Sequence, residues 1–205
     1  FTLQNPRARL VLLSATMPNV EQLGHWAHGL NGLPTVVIRS QWRPIKIEQH
    51  WVTYPAAAGW SAYQANRESM LQTVEEICED NKEHRILVFA HSKNDGHELQ
   101  SRLQRFGRVQ FHCADLDKQE RGEIEMAFRD KSSSLRIVVA TSTLAYGLNL
   151  PARVVVIAGT KRGISDVHPY DIAQEVGRCG RLGIDDHGDA YVLLASHEAA
   201  GEKRR

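Results

Sequence analysis

Gln174, Arg178 and Arg181 are spaced by four and then three, so a helix through them would carry all three on one face. Ile172 and Val176 then fall on a different face and can anchor that helix to a core. Two fixed guanidiniums on one face are suited to gripping a phosphate across a gap, because each presents a planar fork of donors. Gly177 removes a side chain where another group could come close. The plain alternative is a solvated basic face, which is what most helical Arg pairs are; the flanking glycines and the Gln favour the phosphate grip.

Three other places offer hydroxyls or bases. His91-Ser92-Lys93-Asn94 follows the apolar run Ile86 to Ala90, Thr141-Ser142-Thr143 follows Leu135 to Ala140, and Gly159-Thr160-Lys161-Arg162 follows Val154 to Ala158. In open α/β sheets ligands bind beyond the carboxyl ends of the strands, where helix N-termini add N–H donors. Such a ridge suits a row of phosphates, and its plain reading is a set of helix caps. Tyr146 to Pro151 is the second unusual stretch. Gly147 permits a tight turn or a close approach, and Asn149 offers both a donor and an acceptor. As structure the same stretch is a helix stop ended by Pro151.

The elements that must position these residues follow from the pattern. Leu10 to Leu13 reads as a buried strand, and a helix follows through Val20, Leu23 and Trp26. Val36 to Ile38 and Ile45 to Val52 read as extended, Ala56 to Ser61 as an exposed loop, and Asn66 to Glu79 as a helix with Met70, Val74 and Ile77 on one stripe. From Arg85 onward strand runs alternate with helical patterns, ending in the strand Ala190 to Ala195. That alternation predicts a doubly wound, mainly parallel α/β sheet with helices on both faces and right-handed crossovers.

Composition limits the function classes. The chain has 205 residues, a hydrophobic fraction of 42%, and 25 Lys+Arg against 24 Asp+Glu. A sizeable core is expected, and any anion site must be local rather than a property of the net charge. Three scattered cysteines, Cys78, Cys113 and Cys179, suggest neither a disulfide framework nor a zinc site and fit an intracellular, reducing setting. No apolar run approaches membrane-spanning length. The chain opens inside a strand-like segment at Phe1, which suggests a piece of a longer protein.

Taken together, these segments resemble superfamily-two nucleic-acid helicases of the Ski-two-like DExH branch. Ser14-Ala15-Thr16-Met17-Pro18-Asn19 is similar to motif III, and Val88 to Ser92 to motif IV. His112 to Leu116, with Arg121, Ile124, Glu125 and Phe128, resembles the block between motifs IV and V. Thr141 to Pro151 is similar to motif V and Gln174 to Arg181 to the QxxGRxGR motif VI. Five motifs occur in the family's order across nearly the whole chain. This chain departs from the pattern at Cys179 (usually Ala), Cys113 (commonly a second His) and Leu182 (frequently Pro), and its Gly159 to Pro169 interval is short.

The resemblance implies an ATP-driven motor of two RecA-like domains. Residues 1–33 would be the end of the first domain, 34–84 a connector and lead-in helix, and 85–205 the second domain. It implies ATP with Mg2+, the metal held by the first domain of the same protein, since this chain has no phosphate-loop signature or DExH box and no metal ligand set of its own is read. Arg178 and Arg181 would be arginine fingers, with Gln174, Gly147 and Asn149 close to the nucleotide. His91, Ser92, Thr141 and Ser142 would hold the backbone of a single-stranded stretch of RNA or DNA. Ser14, Ala15 and Thr16 would couple nucleotide state to strand grip. The competing expectation is a non-catalytic nucleic-acid-binding module derived from a helicase.

Overall fold

The computed structural model describes residues 9–14, 17, 19–40, 42–141 and 150–202. It divides into two compact units, Phe1–Arg43 and Pro44–Arg205. The first unit contains α1 (Val20–Asn31), closed at its C-terminus by Gly32 in the left-handed region at φ 67°. Gly24 lets α1 lie against Val37, whose methyl would stand 2.8 Å from a Cβ added there. Leu10 to Leu13 is not a buried strand: it pairs with nothing among the described residues, and Leu13 is 92% exposed. Nor does Val36 to Ile38 form a strand. An apolar run becomes a strand only where an edge offers partners for its N–H and C=O groups, and the described residues of this unit offer none.

The second unit is built on six parallel strands: β1 (Lys46–Tyr54), β2 (Ile86–Ala90), β3 (Arg108–His112), β4 (Leu135–Thr141), β5 (Val154–Ile157) and β8 (His187–Ala195), in the order β1-β8-β5-β2-β4-β3. The helices are α2 (Tyr63–Asp80), α3 (Lys93–Leu103), α4 (Lys118–Arg129), α5 (Pro169–Val176) and α6 (Ser196–Glu202). Every residue of β2 and β5 is buried, because helices cover both faces. One layer packs Met70, Leu71 and Val74 of α2 and Leu99 and Leu103 of α3 against Val88 and Val156. The other packs Phe128, Leu150 and Val176 against Leu87, Phe89 and Val155. Burying each such side chain stabilises the fold by roughly 1.5–3 kcal/mol.

Two features shape what the sheet can present. Lys46–Tyr54, expected to belong to a connector, is instead an edge strand paired residue for residue with β8. Between β5 and α5, the Gly159 to Pro169 interval folds into a small antiparallel ribbon, β6 (Lys161–Arg162) and β7 (Ser165–Asp166). Gly163 turns it at φ 64°, and Ile164 stands 89% exposed at its tip.

Candidate nucleotide and nucleic-acid sites

The segment Gln174 to Arg181 is not one helix. α5 begins at Pro169, capped by the His168 ring accepting from the Tyr170 N–H, and ends at Val176. Arg178 and Arg181 therefore follow the helix instead of sharing a face of it with Gln174. Gly177 to Gly180 turns sharply, with Gly180 at φ 85°. The turn is fastened to the segment that enters β5: the Ala152 N–H donates to the Arg178 carbonyl at 3.0 Å, and the Gly180 N–H donates to the Ala152 carbonyl at 2.7 Å. A Cβ on Gly180 would meet the Ile45 side chain at 2.7 Å, and one on Gly188 would meet the Cys179 sulfur at 2.7 Å. Close backbone packing, and not a helical face, sets where Arg178 emerges.

Ala152, Gly188 and Ile45 lie at the amino ends of β5, β8 and β1, so Arg178 and Arg181 sit at the amino ends of the strands. The ridge of strand exits is at the other end. α5 starts after the β5 exit, runs antiparallel to the strands, and spans about 12 Å for its eight residues.

At the amino end, Arg178 is half-buried, and burial lowers its pKa. Arg181 is held by Asp185: its N–H, Nε and Nη2 reach that carboxylate at 2.8, 2.9 and 2.8 Å. The side chains of the pair are only 19% and 7% exposed. Arg181 is thus engaged within the loop, whereas the finger role expected of it would need a free fork. Burial alone would raise the Asp185 pKa, but hydrogen bonds and charge from Arg181 outweigh it and lower it. Arg85, immediately before β2, donates to the carbonyls of Phe128 and Asp130 at the end of α4. Burial lowers its pKa, as do Arg181 and Arg136 nearby. Several guanidiniums therefore share this end of the sheet.

Glu175 was invisible in the motif spacing. It is fully buried, and both carboxyl oxygens lack a hydrogen-bond partner. Burial pushes its pKa up to about 8, the Asp171 carboxylate adds to the rise, and Arg162 opposes it. A carboxyl in such a setting holds its proton near neutral pH. The signal available in the sequence was position: Glu175 precedes Val176, the anchor to the core, so the same turn of helix drags both inward.

At the carboxyl end, His91 follows β2, and its Nε2–H donates to the Gly159 carbonyl at 2.6 Å. Burial lowers its pKa, opposed by that hydrogen bond, and the contact ties the β2 and β5 exits together. Ser92 is the cap of α3, accepting from the Asp95 N–H at 3.0 Å and donating to the Asp95 carboxylate at 2.5 Å. Thr141 is buried at the end of β4. Ser142, Gly147 and Asn149 lie outside the described residues, as do Ala15 and Thr16; Ser14 is exposed in the first unit.

Glu48, His50 and Asp189 bring three possible metal-ligand atoms within 4.8 Å of one another on β1 and β8. Those groups are already engaged: Asp189 with Arg153 and His50, and Glu48 with Lys46. A separate cleft over β3, lined by His97, Phe111, Cys113 and Ile124, contains none of the candidate residues.

Comparison with known proteins bears out the family resemblance. The family model for the helicase conserved C-terminal domain matches residues 69–183, more than half of the chain. The chain is 29% identical to an ATP-dependent DNA helicase Hel308 of Thermoplasma acidophilum over 95% of its own length and 32% of that protein. It is 26% identical to the pre-mRNA-splicing factor brr2 of Schizosaccharomyces pombe over 94% of its length and 11% of that protein. It therefore spans about a third or less of these curated relatives. A crystal structure of the C-terminal part of the Fun30 ATPase domain aligns with 67% of this chain and 45% of that chain, at a TM-score of 0.55 and 15% identity, a likeness of fold.

Proposed function

The chain belongs to the helicase conserved C-terminal domain family, and we propose that it works as the second motor domain of an ATP-dependent helicase or translocase. The observation that supports this most is the separation of its two candidate sites. Guanidiniums gather at the amino ends of the strands, while Thr141 and the capped helix α3 stand at the carboxyl ends, with α5 running between. A motor needs its nucleotide and its nucleic acid on different surfaces of one rigid body, so that closure on one alters grip on the other.

In this reading Arg178 is the guanidinium that reaches a γ-phosphate held by the first domain. When bound there, ATP with its magnesium supplies the phosphoryl group whose transfer powers the cycle. The protein's contribution is to neutralise charge that builds in the transition state, an effect of about 10³–10⁵-fold for an arginine finger. Arg181, clasped by Asp185, braces the turn that carries Arg178; it serves as a second finger only once that clasp opens. The side chains here suit an anion and not a divalent cation: Glu175 keeps its proton and Asp185 is occupied by Arg181. Magnesium therefore belongs to the other domain. Residues 1–33 belong to that domain, and Leu10 to Leu13 takes its place in the first domain's sheet. In the same reading Ser14, Ala15 and Thr16 take the coupling role, and Gly147 and Asn149 contribute nucleotide contacts.

The strand grip falls to Thr141, Ser142 and the N-terminus of α3, contacting backbone and not bases. His91 supports that surface by holding the β2 and β5 exits together. The relatives' names divide between DNA and pre-mRNA work, so the substrate class is single-stranded nucleic acid of either sugar; the setting is inside the cell. The ion pair that occupies Arg181 is the observation favouring a second reading, a binding module without catalysis. Turnover decides between them. ATP hydrolysis by the full-length parent protein should rise on addition of single-stranded RNA or DNA, and the better stimulator identifies the substrate. No hydrolysis with either would leave the binding-module reading.

A further inference from the structure

Trp60 and Tyr63 form a stacked pair on the surface, with ring centroids 5.5 Å apart and planes 16° from parallel. Trp60 is 80% exposed and Tyr63 48% exposed. Large aromatic rings left in water in this way are not explained by the core. The loop that bears them is fastened at two points. Asn66 of α2 accepts from the Ala57 N–H at 2.9 Å and donates to the Ala57 carbonyl at 2.7 Å. Ser196, at the exit of β8, accepts from the Ala56 N–H and donates to the Ala56 carbonyl, both at 3.0 Å. Gly59, at φ 101°, makes the turn that lifts Trp60 outward.

The pair also has a definite place. It follows the exit of β1 and opens α2, so it stands at the same end of the sheet as Thr141 and Ser92. Tyr63 is one helical turn before Arg67, on the same face of α2. Arg67 Nε donates to Asp95 at 2.6 Å, and the other oxygen of Asp95 accepts from the Ser92 hydroxyl. One turn of helix and one ion pair separate the stacked rings from the α3 cap.

We propose that Trp60 and Tyr63 are a base-stacking platform for the single strand, receiving bases a few nucleotides from the stretch gripped at the strand exits. The proposal rests on the strand-binding reading above. Aromatic faces accept every base, so the platform adds affinity without sequence preference. The loop's two clasps hold the rings in place before a base arrives, which reduces the ordering cost of binding. No charge is neutralised by stacking, so the platform leaves the salt dependence of binding unchanged.

The test uses the full-length parent protein, with Trp60→Ala, Trp60→Phe and Thr141→Ala, on a single-stranded oligonucleotide and on the same oligonucleotide made abasic along its length. Trp60→Ala should weaken binding to the intact strand about tenfold or more, leave abasic binding and the salt slope unchanged, and be largely rescued by Trp60→Phe. Thr141→Ala should weaken both ligands. Unchanged binding in Trp60→Ala, with Thr141→Ala still weak, overturns the platform and leaves the strand grip standing. Equal losses on intact and abasic strands overturn it too, as does a lower melting temperature without a binding defect, which would mean that protein covers the rings. A wild-type parent that binds neither ligand removes the strand-binding reading and the platform with it.

Discussion

Replacing Glu175 with Gln should make the chain more stable at neutral pH, by an amount that grows with pH. In the folded chain the carboxyl is buried without a hydrogen-bond partner, and its pKa is about 8 against an ordinary value of 4.5. Between those values the unfolded chain has lost the proton and the native chain still holds it. Stability from this group is therefore complete below pH 4.5 and declines as pH rises toward 8, at about 1.4 kcal/mol per pH unit. Gln has nearly the same shape and cannot ionise, so the decline disappears. The variant's advantage should be near zero at pH 4.5 and about 3 kcal/mol at pH 7. Urea unfolding of wild type and Glu175→Gln at several pH values between 5 and 8 measures it. Other groups shifted by burial, including His91 and His112, are common to both proteins and cancel in the difference. A constant difference across that range would mean that Glu175 is ionised in the native state and has found a partner, and the reasoning would fail.

Three further outcomes follow from the site geometry. Gly180→Ala should cost about 1–3 kcal/mol in unfolding free energy, since φ is 85° and the new Cβ would meet the Ile45 side chain at 2.7 Å; a neutral result would show that the turn has slack. Asp185→Asn should destabilise by about 2–3 kcal/mol in the same assay, because a mostly buried guanidinium loses its counter-ion; loss of less than a few tenths would mean that Arg181 is not held there. Thr141→Ala should weaken single-strand binding while the slope of log affinity against log salt stays the same, since a hydroxyl neutralises no phosphate; a shallower slope would point to a lost cation instead.

How far the sequence could be read depended on whether a pattern had its packing partners within the chain. Ile86 to Ala90 could be read because five apolar residues in a row suit a strand covered on both faces, and β2 occupies those residues. Leu10 to Leu13 is likewise an unbroken apolar run and forms no strand, because no described edge pairs with it. The arginine spacing was legible as a motif and misleading as geometry. Positions i, i+4 and i+7 imply one face only while the helix lasts, and α5 stops at Val176, before Gly177. The Arg181–Asp185 clasp could not be foreseen, because an i,i+4 pair outside a helix meets only through the particular turn at Gly180 and Gly183, both with positive φ. Burial of Glu175 and Arg85 was likewise a product of tertiary packing, where a charged residue in a polar-looking stretch gave no local cue.

The central claim is that the Arg178 guanidinium completes a nucleotide site shared with another domain. Nucleic-acid-stimulated ATP turnover of the full-length parent, compared among wild type, Arg178→Ala and Arg178→Lys, tests it most directly. Turnover should fall about 10³-fold or more in Arg178→Ala, with little recovery in Arg178→Lys, which lacks the planar fork, and single-strand affinity should be retained. Turnover at the wild-type rate in Arg178→Ala would contradict the account.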